Sequence, residues 1–163
     1  MANPWTVGEV LTADHVNQFL APRAKIKTTT TTRVSTTTLA DDPELAGLAV
    51  EANARYRLDL YLDVESGTVP DIKIQLTGPA GFDYRAVIWN GGFSAAANFT
   101  SPTVLTLACS GGTGGNSDRM VGAGWLTTGG TAGSITLQWA QSVSDPGNTA
   151  LKNGSQLMLT RIS

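Results

Sequence analysis

The sequence predicts an all-β protein, an antiparallel jelly roll or β-sandwich with a short N-terminal helix and an extended arm. Three observations carry this prediction: one strongly alternating segment, a composition rich in Thr and Gly but poor in Lys and Glu, and a series of short strand-like segments. Segment 55–65 places Tyr, Leu and Val on one parity and mostly charged side chains on the other. A period of two sends these sets to opposite faces of a strand. Burial of one face alone is typical of antiparallel sheets.

Short segments of the same kind recur from residue 39 onward, separated by Gly, Pro, Asn and Asp. About eight strands at this regular spacing predict a sandwich, jelly roll or barrel. The segments predicted to form further strands are 71–77, 84–89, 103–109, 120–126, 134–141 and 156–162. Their parity predicts a common interior for Leu58, Leu60, Leu62, Ile72, Ile74, Leu76, Ile135, Leu137 and Trp139.

Three regions follow one another along the chain. Residues 1–25 form an N-terminal anchor, residues 26–38 form a Thr-rich extended connector or a first strand, and residues 39–163 form the β-domain. A flexible polar linker is the alternative for the Thr-rich segment. In the first region Thr12 is placed to cap a short helix that Pro22 ends.

The N-terminal region carries more apolar surface than a helix of about eight residues can bury by itself. Exposed apolar surface of this kind marks interaction sites, so we expect the region to attach the protein to a partner. The residues predicted to form this anchor are Trp5, Val10, Leu11, Val16, Phe19 and Leu20.

The composition argues against several classes of protein. A net charge of −2 with 15% charged residues leaves no basic surface for DNA or RNA. No run approaches the roughly 20 apolar residues of a membrane span, and the N-terminus lacks the pattern of a secretory signal. We therefore expect synthesis in a cytoplasm and neither nucleic acid nor membrane as a partner. The single cysteine, Cys109, allows no internal disulfide and lies in an apolar run that predicts burial.

Residues for catalysis and metal binding are scarce. His15 is the single histidine, and it lies far along the chain from Cys109, so neither a nucleophilic triad nor a zinc site is expected. The Gly-rich segment 111–116 lacks the Lys-Ser/Thr of a phosphate loop. The sequence thus predicts no enzyme, no cofactor and no metal.

Two groups of carboxylates leave alternatives open: the first lies in the acidic segment 41–44, and the second lies on strand segment 59–65. The first group carries oxygen ligands of the type that calcium binds, although a solvated turn closed by a proline is the favoured interpretation. The second group alternates on one strand face and would supply the acid pair of a small glycoside hydrolase. An ordinary polar face or a subunit contact is favoured there, because Arg57 and Tyr61 are interleaved with the acids. The two groups are Asp41, Asp42 and Glu44, and Asp59, Asp63 and Glu65.

Several segments together resemble virion proteins of tailed bacteriophages. The N-terminal run Asn3–Asn17, with its Gly-Glu-hydrophobic-Leu-Thr-Ala motif, is similar to the N-terminal segment of many such proteins. His15 departs from this pattern, which has a small or acidic residue there. The segments that resemble small jelly-roll modules of these virions are 53–57, 78–81, 137–141 and 154–162.

The resemblance implies a structural protein of an actinobacterial-type phage. Its expected partners are other virion proteins, bound through the N-terminal segment, and two further copies of itself in a homotrimer. It transfers no catalytic residue. We expect a tail or tail-fibre component located in the virion, with a capsid decoration protein as the close alternative. A carbohydrate-binding module that stacks a host surface glycan on Trp89 or Tyr61 is an alternative of a different class. A glycoside hydrolase is the enzyme alternative and ranks last.

Overall fold

The computed structural model describes residues 10, 12–13, 22–67, 69–91, 95–109 and 117–163. Within these residues the chain forms two sheets in which every strand pairing is antiparallel. This confirms the predicted all-β antiparallel class. The strands are β1 (Arg23–Ile26), β2 (Thr31–Arg33), β3 (Ala40–Asp41), β4 (Leu48–Val50), β5 (Arg55–Ser66), β6 (Ile72–Thr77), β7 (Asp83–Asn90), β8 (Ala95–Thr100), β9 (Leu105–Leu107), β10 (Asp118–Thr127), β11 (Gly133–Gln141), β12 (Thr149–Leu151) and β13 (Gln156–Arg161).

The larger sheet has eight strands. Six of them run in the order β1-β13-β5-β10-β7-β8, and the pair β2–β12 joins this sheet through the end of β5. The smaller sheet has five strands in the order β3-β11-β6-β9, with β4 also paired to β11. The strand β5, predicted from its alternation, is thus central in the larger sheet.

The buried side chains of the two sheets form one hydrophobic cluster, which gives the molecule a sandwich-like core. All nine side chains predicted to share an interior belong to this cluster, and the most exposed of them, Leu60, has 3% of its surface accessible. The predicted burial of Cys109 is also confirmed. Burial raises the pKa of the Cys109 thiol to about 12, with the charges of Asp118 and Asp71 acting in the same direction.

Part of the Thr-rich segment belongs to the larger sheet. Strand β1 pairs with β13 from Arg23 opposite Leu159 to Ile26 opposite Gln156, and β2 pairs with β12. The predicted N-terminal helix lies almost wholly outside the described residues, among which only Ala13 is helical. No helix in the described part of the chain is long and apolar enough to cross a membrane.

Strands β7 and β10 approach each other closely at Gly124. A Cβ atom at this position would lie 2.1 Å from the carbonyl oxygen of Arg85 and 2.5 Å from the Cα atom of Ala86. Any larger residue would therefore force the two backbones apart. Gly124 also lines a groove on the outer face of the sheet, where it contributes only main-chain atoms.

Candidate functional site

The predicted anchor falls mostly outside the described residues. This applies to Trp5, Leu11, Val16, Phe19 and Leu20, and also to His15. The structure does describe Val10, whose surface is 77% exposed. The candidate site that the structure does define lies on the outer face of the eight-stranded sheet.

The strand register aligns outward side chains in rows that cross six strands of this sheet. Residues opposite one another in neighbouring strands share a face and lie in contact distance. One row, called the Trp89 row, has no charged residue. Its members, from β1 to β8, are Ile26, Gln156, Tyr61, Val121, Trp89 and Ala96.

The next row contains a single charge and is called the Val87 row. Its members are Ala24, Met158, Asp59, Ala123, Val87 and Asn98. Large apolar side chains in the two rows stand open to solvent: Ile26 is 56% exposed, Val121 51%, and Val87 and Trp89 are each 49% exposed. A face with this much contiguous apolar surface is typical of an interaction site.

Charged residues are concentrated in the following row, called the Trp125 row. It contains Thr160, Arg57, Trp125, Arg85 and Thr100. Here the guanidinium of Arg85 lies 5.7 Å from the ring centroid of Trp125, and the guanidinium of Arg55 lies 5.2 Å from it. These cation–π contacts hold the half-buried indole in place at one border of the apolar rows.

A groove with a volume of about 580 Å³ lies between the Val87 and Trp125 rows. Its side chains combine a cation, an amide and a hydroxyl with an apolar wall, which is the mixture that small-molecule sites present. The groove is lined by Arg85, Ala86, Val87, Asn98, Thr100, Ala123 and Gly124. It can therefore receive a polar ligand that also has an apolar surface.

Trp89 and Trp125 lie on this same face, on neighbouring strands. Val121 is opposite Trp89 and Arg85 is opposite Trp125, so the two indoles are four residues apart in register. Four residues of antiparallel strand span about 14 Å. Two aromatic residues were considered from the sequence as platforms for a stacked sugar. Trp89 is half exposed, and Tyr61, in the same row, is partly buried.

The structure separates two of the three acids of β5. Asp59 and Asp63 are four residues apart on one strand, about 14 Å along its axis, whereas glycosidase carboxylates are about 5–9.5 Å apart. Arg57 lies 2.9 Å from Asp59, and Lys152 lies 2.6 Å from Glu65. The arrangement does not support Asp59 and Asp63 as an acid pair.

The acidic turn is only in part the solvated turn that the sequence favoured, since Asp41 is exposed and Asp42 is buried. The side chain of Asp42 is fully buried, and its Oδ2 atom lies 2.9 Å from Nζ of Lys27, which is also fully buried. Asp42 further accepts hydrogen bonds from the indole N–H of Trp139 and from the backbone N–H groups of Glu44 and Leu45, each at 3.0 Å. The prediction of solvation is wrong for Asp42 because a lysine 15 residues earlier neutralises its charge in the core.

The other two acids of this turn also have protein partners. Glu44 accepts hydrogen bonds from the backbone N–H and hydroxyl groups of Thr28 and Thr29, at 2.5 to 3.1 Å. These bonds, led by that of the Thr28 hydroxyl, hold the pKa of Glu44 well below its usual range. Asp41 accepts a hydrogen bond from the side-chain amide of Gln138 at 2.8 Å. In the described part of the chain, no group of three or more His, Cys, Asp and Glu residues is placed to hold a metal ion.

Sequence reasoning missed two cations that join the Thr-rich segment to the sandwich. Lys27 lies directly after β1, and Arg33 ends β2. The guanidinium of Arg33 lies 4.3 Å from the ring centroid of Trp139 and donates hydrogen bonds to the carbonyl groups of Ala40 and Asp41 at 3.0 and 2.9 Å. Both cations stand among Thr residues in the segment predicted as an extended connector or first strand, and no local pattern revealed their distant partners.

Comparison of the chain with protein-family models and with curated proteins gives no match.

Proposed function

We propose that this chain is a non-enzymatic structural protein of a tailed-phage particle, in which an N-terminal anchor displays a trimeric jelly-roll module on the exterior. The phage assignment is supported by the resemblance of Asn3–Asn17 and of the later segments to virion proteins. A tail or tail-fibre location is proposed, with capsid decoration as the alternative.

The observation that carries the proposal is the junction between the predicted anchor and the sandwich. Strand β1 begins at Arg23, within the last three residues of the predicted anchor region, and pairs with β13 along its whole length. The residue that follows β1 is Lys27, whose buried side chain forms an ion pair with Asp42 in the core. A module held this firmly just beyond its anchor would be displayed in a fixed orientation, as a particle component requires.

The jelly-roll assignment is supported by the strand order. If β1, β4, β5, β6, β9, β10, β11 and β13 are numbered one to eight in chain order, one sheet contains the path 1-8-3-6 and the other the path 2-7-4-5. Two four-stranded sheets linked in this way correspond to the eight strands and paired Greek keys of a jelly roll. The hairpin β7–β8 extends the first sheet beyond β10.

Counting copies in purified particles tests the proposal. Quantitative mass spectrometry should detect the chain in virions, with a handful of copies at the tail tip or hundreds on the capsid. Absence from the virion would overturn the proposal, and the copy number decides between the two locations.

A deletion series tests the anchor separately. Removal of residues 1–21 should leave the sandwich folded, because β1 is retained. The shortened protein should no longer enter particles, because it lacks the predicted anchor. Removal of residues 1–38 should destabilise the sandwich as well, since it deletes β1, β2 and Lys27. Normal incorporation of the shorter deletion would contradict an anchoring role.

Glycan binding is a second candidate function, and the groove beside Trp125 favours it. Arg85, Asn98 and Thr100 present donors and acceptors for sugar hydroxyl groups, and Trp89 offers a half-exposed aromatic face. Saturable binding of an oligosaccharide such as maltohexaose or chitohexaose, lost in Asn98→Ala, would support this function. Binding that is unaffected by Asn98→Ala would contradict a site in this groove, and binding that is unaffected by Trp89→Ala would contradict stacking on that ring.

A further inference from the structure

We propose that the outer face of the eight-stranded sheet is the surface through which copies of this chain associate, with Trp89 and Val121 at its centre. The inference deepens the proposed function and rests on it, because the proposed trimer requires an interface. The occupant of the face is a different surface of a second copy of the chain, because a trimer is built from heterologous contacts and this face packed on itself would close as a dimer.

The distribution of charge is the first argument. The Trp89 row crosses six strands without a charged residue, and Asp59 is the single charged residue in the Val87 row. Charges border these rows on both sides, with Arg57 and Arg85 in the Trp125 row and the opposed pair Asp63 and Arg119 beyond the Trp89 row. An apolar centre with a polar rim is the anatomy of a protein–protein interface.

The residue types are the second argument. Trp, Tyr, Met and Arg are enriched in interfaces, whereas Lys and Glu are depleted. The three rows contain Trp89, Trp125, Tyr61 and Met158 together with two arginines, and no Lys or Glu. A saccharide would engage chiefly the groove at the edge of this surface and would leave Ile26 and Val121, which are 56% and 51% exposed, uncovered.

The size of the face is the third argument. The rows extend over six strands. Six strands about 4.8 Å apart, each contributing about eight residues of about 3.4 Å, form a complete sheet face of about 800 Å², with the apolar rows at its centre and charged residues at its border. This is about the area that each partner contributes to a stable interface of standard size. A second copy is therefore large enough to cover the whole apolar surface, and a short oligosaccharide is not.

The experiment measures the mass of the full-length chain in solution by sedimentation velocity and light scattering at micromolar concentration. The wild-type protein should have three times the 17.0 kDa mass of one chain. Trp89→Asp and Val121→Asp should weaken association at least tenfold and shift the mass toward one chain, because a charge would be buried in the apolar centre. Far-UV circular dichroism and denaturant melts check that the variants are folded.

Matched controls place the same charge on apolar residues outside the face. Val143 is 53% exposed and Val104 is 40% exposed, so Val143→Asp and Val104→Asp should leave the mass unchanged. Trp89→Phe should retain association, since it keeps an aromatic ring at the centre. If an aspartate variant is unfolded, Trp89→Ala and Val121→Ala remove apolar area without adding charge and should still weaken association.

The outcomes separate this inference from the proposed function. Trimers that persist in folded Trp89 and Val121 variants would overturn the interface while leaving the trimeric virion protein in place. A monomeric wild-type protein would overturn both the interface and the trimer, while copy counting would still test the virion assignment. A monomer that binds maltohexaose or chitohexaose through Trp89 would assign the face to a glycan and overturn the inference.

Discussion

Lys27 Nζ lies 2.9 Å from Asp42 Oδ2, and neither side chain is accessible to solvent. Lys27 also donates a hydrogen bond to the hydroxyl group of Thr31 at 2.9 Å, and Trp139 donates to Asp42 from the other side. The pair joins the end of β1 to the turn after β3, so it links the N-terminal strand of the larger sheet to the smaller sheet. Its charges are satisfied only while both partners are present.

Lys27→Ala should destabilise the protein by about 3–5 kcal/mol, because it leaves the carboxylate of Asp42 buried without its cation. Denaturant melts measure the loss. The control is Arg57→Ala, which breaks the ion pair with Asp59 at a site where the Arg57 side chain is 64% exposed. An exposed pair contributes about 0–1 kcal/mol. Equal losses in the two variants would contradict the structural role of the buried pair.

Gly124→Ala should destabilise the protein by about 1–3 kcal/mol or more, the usual cost of forcing extra volume into a packed region. The added Cβ atom would overlap the backbone of β7 at Arg85 and Ala86. Gly130→Ala is the matched control, since nothing lies within 4 Å of a Cβ atom there. Thermal melts in which both alanine variants behave alike would be inconsistent with the close approach of β7 and β10.

Leu60→Ala should cost about 2–5 kcal/mol through lost transfer energy and a residual cavity. Asp59→Ala, at the neighbouring position on the outer face, should cost about 1 kcal/mol or less. The contrast follows from the strand parity that buries Leu60 and directs Asp59 outward. Urea titration of both variants measures it, and comparable losses would show that both faces of β5 are buried under the conditions of the melt.

Cys109 should make the protein less stable at alkaline pH. Burial raises the pKa of the folded thiol to about 12 from an ordinary value of 9.0. The unfolded chain therefore releases this proton near pH 9 while the folded chain retains it, so stability is lost as the pH rises from about 9 toward 12. The denaturant midpoint of unfolding should fall less between pH 8 and pH 10.5 in Cys109→Ala than in the wild type. An identical fall would mean that other groups account for the alkaline loss.

Glu44 should make the protein less stable at acidic pH. Hydrogen bonds from Thr28 and Thr29 lower the pKa of its folded carboxyl group. Their contribution is present above the ordinary pKa, near 4.5, and is lost as the pH falls below it. Glu44→Gln should therefore show a shallower loss of stability between pH 5 and pH 3. Parallel acid titrations of variant and wild type would contradict the role of these bonds.

Local pattern alone was sufficient for the longer strands β5, β6, β7, β10, β11 and β13 and for the nine predicted core side chains. The alternation in β5, β6 and β11 identified nine interior side chains, because a period of two admits only one assignment of faces once one face is apolar. The same parity placed Asp59 and Tyr61 on the outer face. Short, weakly alternating strands such as β2, β3 and β12 could not be recognised in this way, since two or three residues carry no period.

Only the tertiary structure decided which outward side chains meet. Trp89, Val121 and Tyr61 come from three strands, and their common row depends on the register of β7, β10 and β5. The burial of Lys27 and Asp42 likewise depends on the packing of one sheet against the other. The sequence by itself determined the faces of each strand, because side-chain parity is a local property of the backbone. The outer apolar face and the buried ion pair arise from contacts between distant segments, which no local pattern encodes.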